Sequence, residues 1–288
     1  MLIDLQLHST YSDGYLTPAA VADFLLKNKI KAASLTDHNT VAGQEEFRLA
    51  CQKNGLKPII GLEIYAKLNY KKFNLLWYNF DHKDARLREF LRPSQARRRE
   101  RMRRALLKLK TLGLLIDVNK ILNKYGHYVP LNRVIDDVWR ITNNRQKIAE
   151  RLNAQRPSEE KIIKFFFSNR KINKLGESYV DFRNILKLRE KIGGQLILNH
   201  PGKNAPINEI FIDRLVKLGL DGIELISPHH SISDVMRLQR LIKHHQLIAT
   251  GGSDYHLDEV GRIPIKNAYS YFKVDDLFLP GIKKIING

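Results

Sequence analysis

Short, turn-like motifs rich in histidine and acidic residues recur along this 288-residue chain. Each motif carries side chains that can bind a metal ion. The candidate ligands are His8, Asp13, His38, Glu63, His200, Asp254 and His256. Imidazoles mixed with carboxylates in this way suit divalent cations such as Mn²⁺, Fe²⁺ or Zn²⁺. The sequence therefore predicts a metal centre built from side chains that are far apart along the chain.

The elements that must position these ligands alternate between β-rich runs and helical patterns. Strands are predicted at Leu2–Leu7, Ala32–Thr36, 58–66, 73–78, Gln195–Asn199, 221–226 and 247–251. Helices are predicted from Thr17-Pro18 to Lys29 and at 40–54, 179–192, 207–218 and 232–245. Such alternation favours a parallel sheet. All the candidate ligands except Asp13 are predicted to lie at or just after the end of a strand, so we expect them to meet at one mouth of a β/α barrel.

The pattern changes near residue 84. An arginine-rich helix is followed by further helical stretches near 116–124, 132–138, 145–153 and 158–168. The simplest interpretation of the arginines at 97–104 is a solvated helix face. We therefore predict an α/β barrel over residues 1–83 and 176–288, with an inserted all-helical subdomain over 84–175 that covers the mouth of the barrel.

The formal net charge of +19 is large for a chain of this size. It is equally compatible with a phosphate-bearing substrate, including nucleic acid, and with a solvated lysine-rich surface. No run of about 18 apolar residues is present, which excludes a membrane-spanning helix. The single cysteine, Cys51, fits a reducing cytoplasm, and we expect a cytoplasmic protein without a removable signal peptide.

The motifs, taken in order, carry a family resemblance. Asp4–Gly14 (DLQLHSTYSDG) resembles the opening D-L-H-x-H-S-x-x-S-D-G motif of the PHP (polymerase and histidinol phosphatase) superfamily. Thr36–Thr40 resembles its T-D-H-[DN]-T motif, and 61–63 resembles G-x-E. Residues 198–202 are similar to its A-H-P-G segment, and 251–256 to G-G-S-D-x-H. The resemblance spans nearly the whole chain and is strongest to the branch that acts on nucleotide 3′,5′-bisphosphates and short RNA.

The resemblance implies a distorted (β/α)₇ TIM-like barrel with up to three metals. In the family, the first metal site uses both imidazoles of the opening motif with Glu63 and Asp254. The second uses Glu63, His200 and a histidine on the strand after Glu63. The third corresponds to Asp13, His38 and His256. A metal-activated water would hydrolyse a phosphate ester.

Two positions depart from the family pattern. Gln6 stands where the opening motif has its first histidine, and Asn74 stands where the following strand normally has one. Amide oxygens are neutral and weaker ligands for transition metals than imidazole. The third site is thus complete and the other two are altered, so we expect one to three divalent metal ions per chain.

Residues 144–149 resemble the R-P-H-I-A segment of the family, with Arg145 retained and Lys147 replacing a histidine. Arg145, Lys147 and His230 are therefore predicted to bind the phosphates of the substrate. The alternative for Arg145 is an ordinary surface residue, and either His230 or His229 could simply be an exposed loop residue.

The leading hypothesis is a metal-dependent phosphoesterase whose substrate is a phosphorylated nucleotide or short nucleic acid, with no obligate protein partner. One alternative is a catalytically weakened PHP-fold protein that binds metal and a phosphorylated ligand. The other is a basic nucleic-acid-binding module that uses the arginine-rich insertion.

Overall fold

The computed structural model describes residues 1–169, 172, 175–203, 207–256, 269 and 272–288. It divides into two compact units. Met1–Glu89 and Tyr179–Gly288 form one, here called the barrel unit, and Phe90–Ser178 forms the other, the helical unit. Among the described residues, no helix combines the length and the apolar character that crossing a membrane requires.

The described strands are β1 (Leu2–Leu7), β2 (Ala32–Leu35), β3 (Lys57–Leu68), β4 (Lys71–Tyr78), β5 (Val180–Asp181), β6 (Gln195–Asn199), β7 (Gly222–Ile226), β8 (Ile248–Gly251) and β9 (Val274–Asp275). The described α-helices are α1 (Pro18–Lys27), α2 (Gln44–Lys53), α3 (Ala85–Thr111), α4 (Val118–Lys124), α5 (Leu131–Trp139), α6 (Thr142–Leu152), α7 (Glu159–Ile162), α8 (Phe182–Ile192), α9 (Glu209–Leu218), α10 (Ile232–His245) and α11 (Lys283–Ile286). A π-helical turn, Ile163–Phe167, follows α7, and a 3₁₀ turn, Asp276–Phe278, follows β9.

The strands of the barrel unit form one nearly closed sheet in the order β8-β7-β6-β4-β3-β2-β1-β9, with β5 paired to β3. A bridge between Leu7 of β1 and Tyr255, just after β8, joins strands from opposite sides of this order. The backbone N–H of His8 donates to the carbonyl oxygen of Tyr255 at 2.9 Å. The predicted TIM-like α/β barrel is confirmed, and this closure brings the segments that follow β1 and β8 side by side.

The prediction of a parallel sheet is wrong for β4 and for β9, which pairs antiparallel with β1. Strand β4 runs antiparallel to both β3 and β6, because β3 turns back into it through a short hairpin at Asn69. Asn69 adopts a left-handed backbone conformation that such a turn needs. The sequence predicted Glu63 at or just after the end of a strand. In the structure Glu63 lies within β3.

Caps on the helices follow local rules. Thr17 accepts a hydrogen bond from the N–H of Ala20 and Pro18 begins α1, as expected from the sequence. Ser231 and Asp234 form a reciprocal capping box at the start of α10. These caps begin α1 and α10 shortly after β1 and β7, which leaves only short loops between strand and helix to carry functional side chains.

The helical unit has its own apolar core, in which Met102, Leu106, Leu122, Val134 and Phe166 are buried. The arginines of α3 do not form a simple solvated face. Arg98 is only 3% exposed; it pairs with Glu177 at 2.7 Å and donates to the carbonyl oxygen of Val129. Many of the positive charges are therefore used to hold this unit together.

Candidate metal centre

Two buried aspartates from the motifs fix the loops that carry the ligands. The Asp37 carboxylate accepts hydrogen bonds from the backbone N–H of Ser9 at 2.8 Å and from the hydroxyl of Ser12 at 2.6 Å. The Asp4 carboxylate accepts from the hydroxyl of Ser253 at 2.6 Å. Asp37 thus ties the loop after β1 to the loop after β2, and Asp4 ties the loop after β8 to β1.

Two glycines allow the close approach of these segments. A Cβ atom at Gly14 would lie 2.2 Å from the carbonyl oxygen of His8, and one at Gly252 would lie 2.6 Å from the Cβ atom of Gln6. No side chain can be accommodated at such distances without moving the backbone. The glycines of the S-D-G and G-G-S-D motifs are therefore needed for packing around the site.

His8, Asp13, His38 and His256 converge, and we call them the imidazole cluster. The Asp13 carboxylate lies 3.5 Å from Nδ1 of His8, 3.4 Å from Nε2 of His38 and 3.3 Å from Nε2 of His256. One ligand atom from each of the four residues lies within 4.8 Å of the others, a spacing that a single ion can span. Their donor set of three imidazoles and one carboxylate suits a borderline divalent cation.

Glu63 is fully buried and its two carboxylate oxygens face different neighbours. Oε2 lies 3.2 Å from Nε2 of His8, and Oε1 lies 3.4 Å from Nε2 of His200. The Nδ2 atom of Asn74 donates to Oε1 at 2.6 Å. A carboxylate in this position can bridge two cations.

Asp254 completes a second group with His8 and Glu63, whose ligand atoms also lie within 4.8 Å of one another. Its Oδ1 atom lies 3.1 Å from Nε2 of His8 and accepts from Nε2 of Gln6 at 3.0 Å. The structure therefore brings together every predicted ligand, with the two substituting amides in direct contact with the carboxylates.

The pKa values of these groups show how strongly they interact. Burial alone would lower the pKa of His8, but hydrogen bonds with Asp254 and Glu63 outweigh it and raise that pKa well above its usual value. Burial would raise the pKa of Asp13, yet the charges of His38 and His256 hold it well below its usual range. The centre is thus an array of ionised carboxylates surrounded by groups that can carry positive charge, which is the environment that a bound cation would also supply.

These side chains open into a cavity of about 520 Å³. Its wall contains the ligands Asp13, His38, Glu63, His200, Asp254 and His256, together with Tyr65, Lys72, Phe73, Asn74, Tyr179, Asn199, Lys203 and Ile207. Six of these fourteen lining residues are candidate metal ligands, and the other eight are aromatic, amide, basic or apolar. A volume of this size lies within the range of small-molecule binding sites.

The family model described as "PHP domain" matches residues 4–167, which is more than half of the chain. The chain belongs to the PHP domain family. The match includes the segments that supply Asp13, His38 and Glu63.

Comparison with curated proteins gives relatives of nearly the same length. A phosphoribosyl 1,2-cyclic phosphate 1,2-diphosphodiesterase from Eggerthella lenta is 27% identical over 268 residues, covering 92% of this chain and 97% of the relative. A 3′,5′-nucleoside bisphosphate phosphatase from Chromobacterium violaceum is 24% identical, covering 88% and 87% of the two chains. A solved structure described as a metal-dependent phosphoesterase from Bifidobacterium adolescentis has a TM-score of 0.80 at 20% identity, covering 99% and 95%. The first two relatives are hydrolases of phosphate esters, and the third supports the fold.

Of the three predicted substrate-binding residues, His230 belongs to the barrel unit, and Arg145 and Lys147 belong to the helical unit. The His230 imidazole is hydrogen-bonded through Nδ1 to the carbonyl oxygen of Leu225. In the helical unit, Lys147 donates to the carbonyl oxygen of Gly113 at 2.7 Å, and Arg145 is exposed. The structure thus gives Lys147 a role at the end of α3 and leaves Arg145 as a surface residue of its unit.

Two residues that were not predicted as site residues contact Asp254. Nε2 of His229 lies 2.7 Å from Oδ2 of Asp254, and Nζ of Lys203 lies 3.5 Å from the same atom. Burial would lower the pKa of Lys203, but the neighbouring Asp254 and Glu63 carboxylates raise it, so the ammonium stays charged. The sequence signal for Lys203 was its position just after the His200-Pro201-Gly202 motif.

Proposed function

We propose that this chain is a metal-dependent phosphoesterase that hydrolyses phosphate esters of nucleotides or short nucleic acid. The observation that carries the proposal is the convergence of the imidazole cluster with Glu63 and Asp254 on one cavity. Carboxylates and imidazoles gathered this closely fit divalent cations and would repel or compete with one another without positive charge between them.

The residues present fit such cations at two positions. Asp13, His38 and His256 would hold one ion, and His8, Glu63 and Asp254 would hold another. When bound, divalent cations supply an activated water and neutralise the oxygens of a phosphoryl group. The metal identity proposed is Mn²⁺, Fe²⁺ or Zn²⁺, with one to three ions per chain.

The remaining side chains of the cavity would bind the substrate. Lys203 would provide a mobile positive charge for a phosphate oxygen, and the Asp254 carboxylate accepts a hydrogen bond from Nε2 of His229 and fixes that ring. The Tyr179 ring lies at the cavity with Nζ of Lys72 4.8 Å from its centre, so an aromatic face and a cation are available to a nucleoside. The net charge of +19 would attract anionic substrates over a longer range.

The test is release of phosphate or nucleotide from a panel of phosphate esters. Purified protein loaded with Mn²⁺ would be given a nucleoside 3′,5′-bisphosphate, a 5′-phosphorylated RNA oligonucleotide and a ribose cyclic phosphate. We expect turnover of the nucleotide or RNA that is lost in His38→Ala and Asp254→Ala. Equal product from wild type and both variants would contradict the proposal.

A second candidate, a weakened enzyme that binds metal and a phosphorylated ligand, is favoured by the amides of Gln6 and Asn74. Both donate to carboxylates that would otherwise face a cation. Measuring binding of the bisphosphate beside product release separates the two candidates. Saturable binding without product would support the binding protein, and product formation would exclude it.

A further inference from the structure

The hairpin that joins β3 to β4 ends in a tip that is both basic and aromatic. Its turn is Asn69-Tyr70, and the Tyr70 side chain is 99% exposed. An aromatic ring stabilises a protein mainly when other groups cover it, so a fully exposed ring on a turn contributes little to folding. Exposed basic side chains flank this ring on both strands and on α8. We call this set the hairpin surface, which consists of Lys67, Tyr70, Lys71, Lys72 and Arg183.

The lysines of the hairpin surface lie close together. Lys67 of β3 lies directly opposite Lys72 of β4 in the antiparallel register, and like charges in that arrangement destabilise a sheet. Among the residues that the structure describes, none of the three lysines forms an ion pair with a carboxylate. Asp181 lies beside Lys67 in the pairing of β3 with β5, but its carboxylate caps α8 and lies 3.6 Å from Nε of Arg183. The ammonium groups therefore favour an anion from outside the chain.

Two contacts hold the hairpin surface in place. Nη2 of Arg183 donates to Oδ1 of Asn69 at 2.7 Å, which ties the turn to α8. Nζ of Lys71 lies 4.9 Å from the centre of the buried Phe211 ring of α9. A surface that is already held in position loses less conformational entropy when a ligand binds to it.

A line of aromatic rings connects the hairpin surface with the candidate metal centre. The Tyr65 ring stacks on His38 at 4.7 Å between ring centres, and the Tyr179 ring meets Tyr65 edge-on at 5.8 Å. Lys72 lies over the Tyr179 ring, and both residues line the cavity. Tyr70 is two residues from Lys72 along the chain, which in a strand is about 7 Å. The hairpin surface thus continues the cavity wall away from the metal centre.

We propose that the hairpin surface binds the second and later nucleotides of a single-stranded nucleic acid whose terminal nucleotide lies in the cavity. Closely spaced cations match the repeated phosphates of such a strand, and an exposed aromatic ring stacks on an unpaired base. An acidic peptide would match the lysines but would leave Tyr70 without a role. The proposal rests on the proposed function in one respect, namely that the cavity admits a nucleotide.

The first test is binding of a fluorescent, 5′-phosphorylated RNA octanucleotide, measured by anisotropy in EDTA so that no phosphate ester is hydrolysed. Tyr70→Ala should weaken binding about tenfold, which is the scale of one base stacked on an aromatic ring. Tyr70→Phe keeps the ring and should bind like the wild type. Phe278→Ala removes another exposed ring, 76% exposed after β9, and is the matched control that should change nothing.

The second test is the salt dependence of the same binding. Replacing both Lys67 and Lys71 by alanine should lower the slope of log affinity against log salt concentration by about 1.4, because each phosphate contact on a single strand contributes about 0.7. Lys243→Ala, at the exposed end of α10, is the control and should leave the slope unchanged.

Two results would overturn the proposal. One is equal affinity for the octanucleotide in the wild type, in Tyr70→Ala and in the double lysine variant. The other is displacement of the labelled RNA by an eight-residue polyglutamate as effectively as by unlabelled RNA of the same length, since this would indicate an acidic protein segment as the partner.

Turnover separates this proposal from the proposed function. If RNA binding depends on Tyr70 but no phosphate ester is hydrolysed with Mn²⁺, the hairpin surface stands and the phosphoesterase activity fails. If esters are hydrolysed, Tyr70→Ala should raise the KM for the octanucleotide about tenfold and leave the KM for a nucleoside 3′,5′-bisphosphate unchanged. An unchanged KM for both substrates would leave the phosphoesterase intact and contradict the role of the hairpin surface.

Discussion

Both units of this protein carry many charged side chains, but those side chains have different partners. In the barrel unit, carboxylates and imidazoles from β1, β2, β3, β6 and β8 or the loops after them converge on one cavity. In the helical unit, the arginines of α3 are distributed over backbone carbonyls and side chains of that unit. Arg99 donates to the carbonyl oxygen of Tyr125, and Arg101 donates to those of Gly176 and Glu177.

The difference shows what a cluster of charges can be inferred to do. Charged side chains that each bond to a nearby acceptor, as these arginines do, stabilise the helix that carries them. Such pairs do not call for a bound ligand. Charges of like sign that converge, as Glu63, Asp13 and Asp254 do, remain compatible with the fold only when positive charge lies between them. The converging charges of the barrel unit therefore indicate a reactive site, whereas the paired arginines of α3 indicate a stabilising role in the helical unit.

The largest effect is expected from the imidazole cluster. His38→Ala removes a ligand next to Asp13 and should lower the turnover of the nucleotide substrate on the order of a thousandfold, since a bound metal supplies several kcal/mol of transition-state stabilisation. The measurement is steady-state phosphate release with Mn²⁺ present. His245→Ala, which removes a histidine paired with Asp213 at the surface, should retain full activity. Similar losses in both variants would indicate a general effect on folding.

A smaller effect, on stability, is expected in the helical unit. Arg98→Met leaves Glu177 without its cation in a mostly buried setting and should lower the free energy of unfolding by about 3 kcal/mol. Urea denaturation followed by circular dichroism measures this change. Arg104→Met removes an exposed arginine that contacts Glu100 and should change stability little. A loss of phosphate release by Arg98→Met without any loss of stability would break the comparison between the units.

The carboxyl group of Asp4 predicts a pH dependence of stability in the barrel unit. Burial raises the pKa of Asp4 to about 6, against hydrogen bonds from Ser253 and Tyr269 that lower it. The folded state therefore binds this proton more tightly than the unfolded state. Its contribution to stability is fully present below pH 4 and is lost as the pH rises through 6, by about 3 kcal/mol over the whole range.

Asp4→Asn tests that dependence. In metal-free buffer, the stability of the wild type relative to the variant should fall as the pH rises from 4 to 8. The measurement is the urea midpoint of both proteins at each pH. A difference between the two proteins that does not change with pH would contradict the assignment.

The smallest effect is expected from Lys203. Lys203→Met removes a charge beside Asp254 and should raise the KM for the nucleotide about tenfold, because a hydrogen bond to a charged group contributes about 1.5 kcal/mol. The kcat value should change less. Lys217→Met, on an exposed face of α9, is the control and should leave KM unchanged. A fall in kcat with no change in KM would contradict the role of Lys203 in substrate binding.

Much of the fold, and the convergence of the candidate ligands, could be predicted from the sequence. The strand of residues Gln195–Asn199 and the helix of residues 232–245 have the predicted bounds. The direction of β4 could not be predicted, because alternation of apolar residues indicates a strand but not which way it runs. The position of Glu63 within β3 follows from the same hairpin. The ligands could be predicted because they lie in short motifs whose glycines and aspartates are needed to hold the loops together.

The substrate side of the site was harder to predict. His229 and His230 are adjacent, and only the path of the turn after β7 decides that His229 contacts Asp254 while His230 contacts Leu225. Lys203 follows the His200 motif without a pattern of its own. Its importance depends on the neighbours that the folded barrel gives it, and a single sequence does not contain that information.

The measurement that tests the central claim most directly is the metal content of the purified chain. Protein incubated with Mn²⁺ and passed over a desalting column should retain at least one tightly held ion per chain in the wild type and in Asp213→Asn. Asp13→Asn, which removes the carboxylate at the centre of the imidazole cluster, should lose most of that metal. Equal metal content in wild type and Asp13→Asn, or no retained metal in the wild type, would contradict the account.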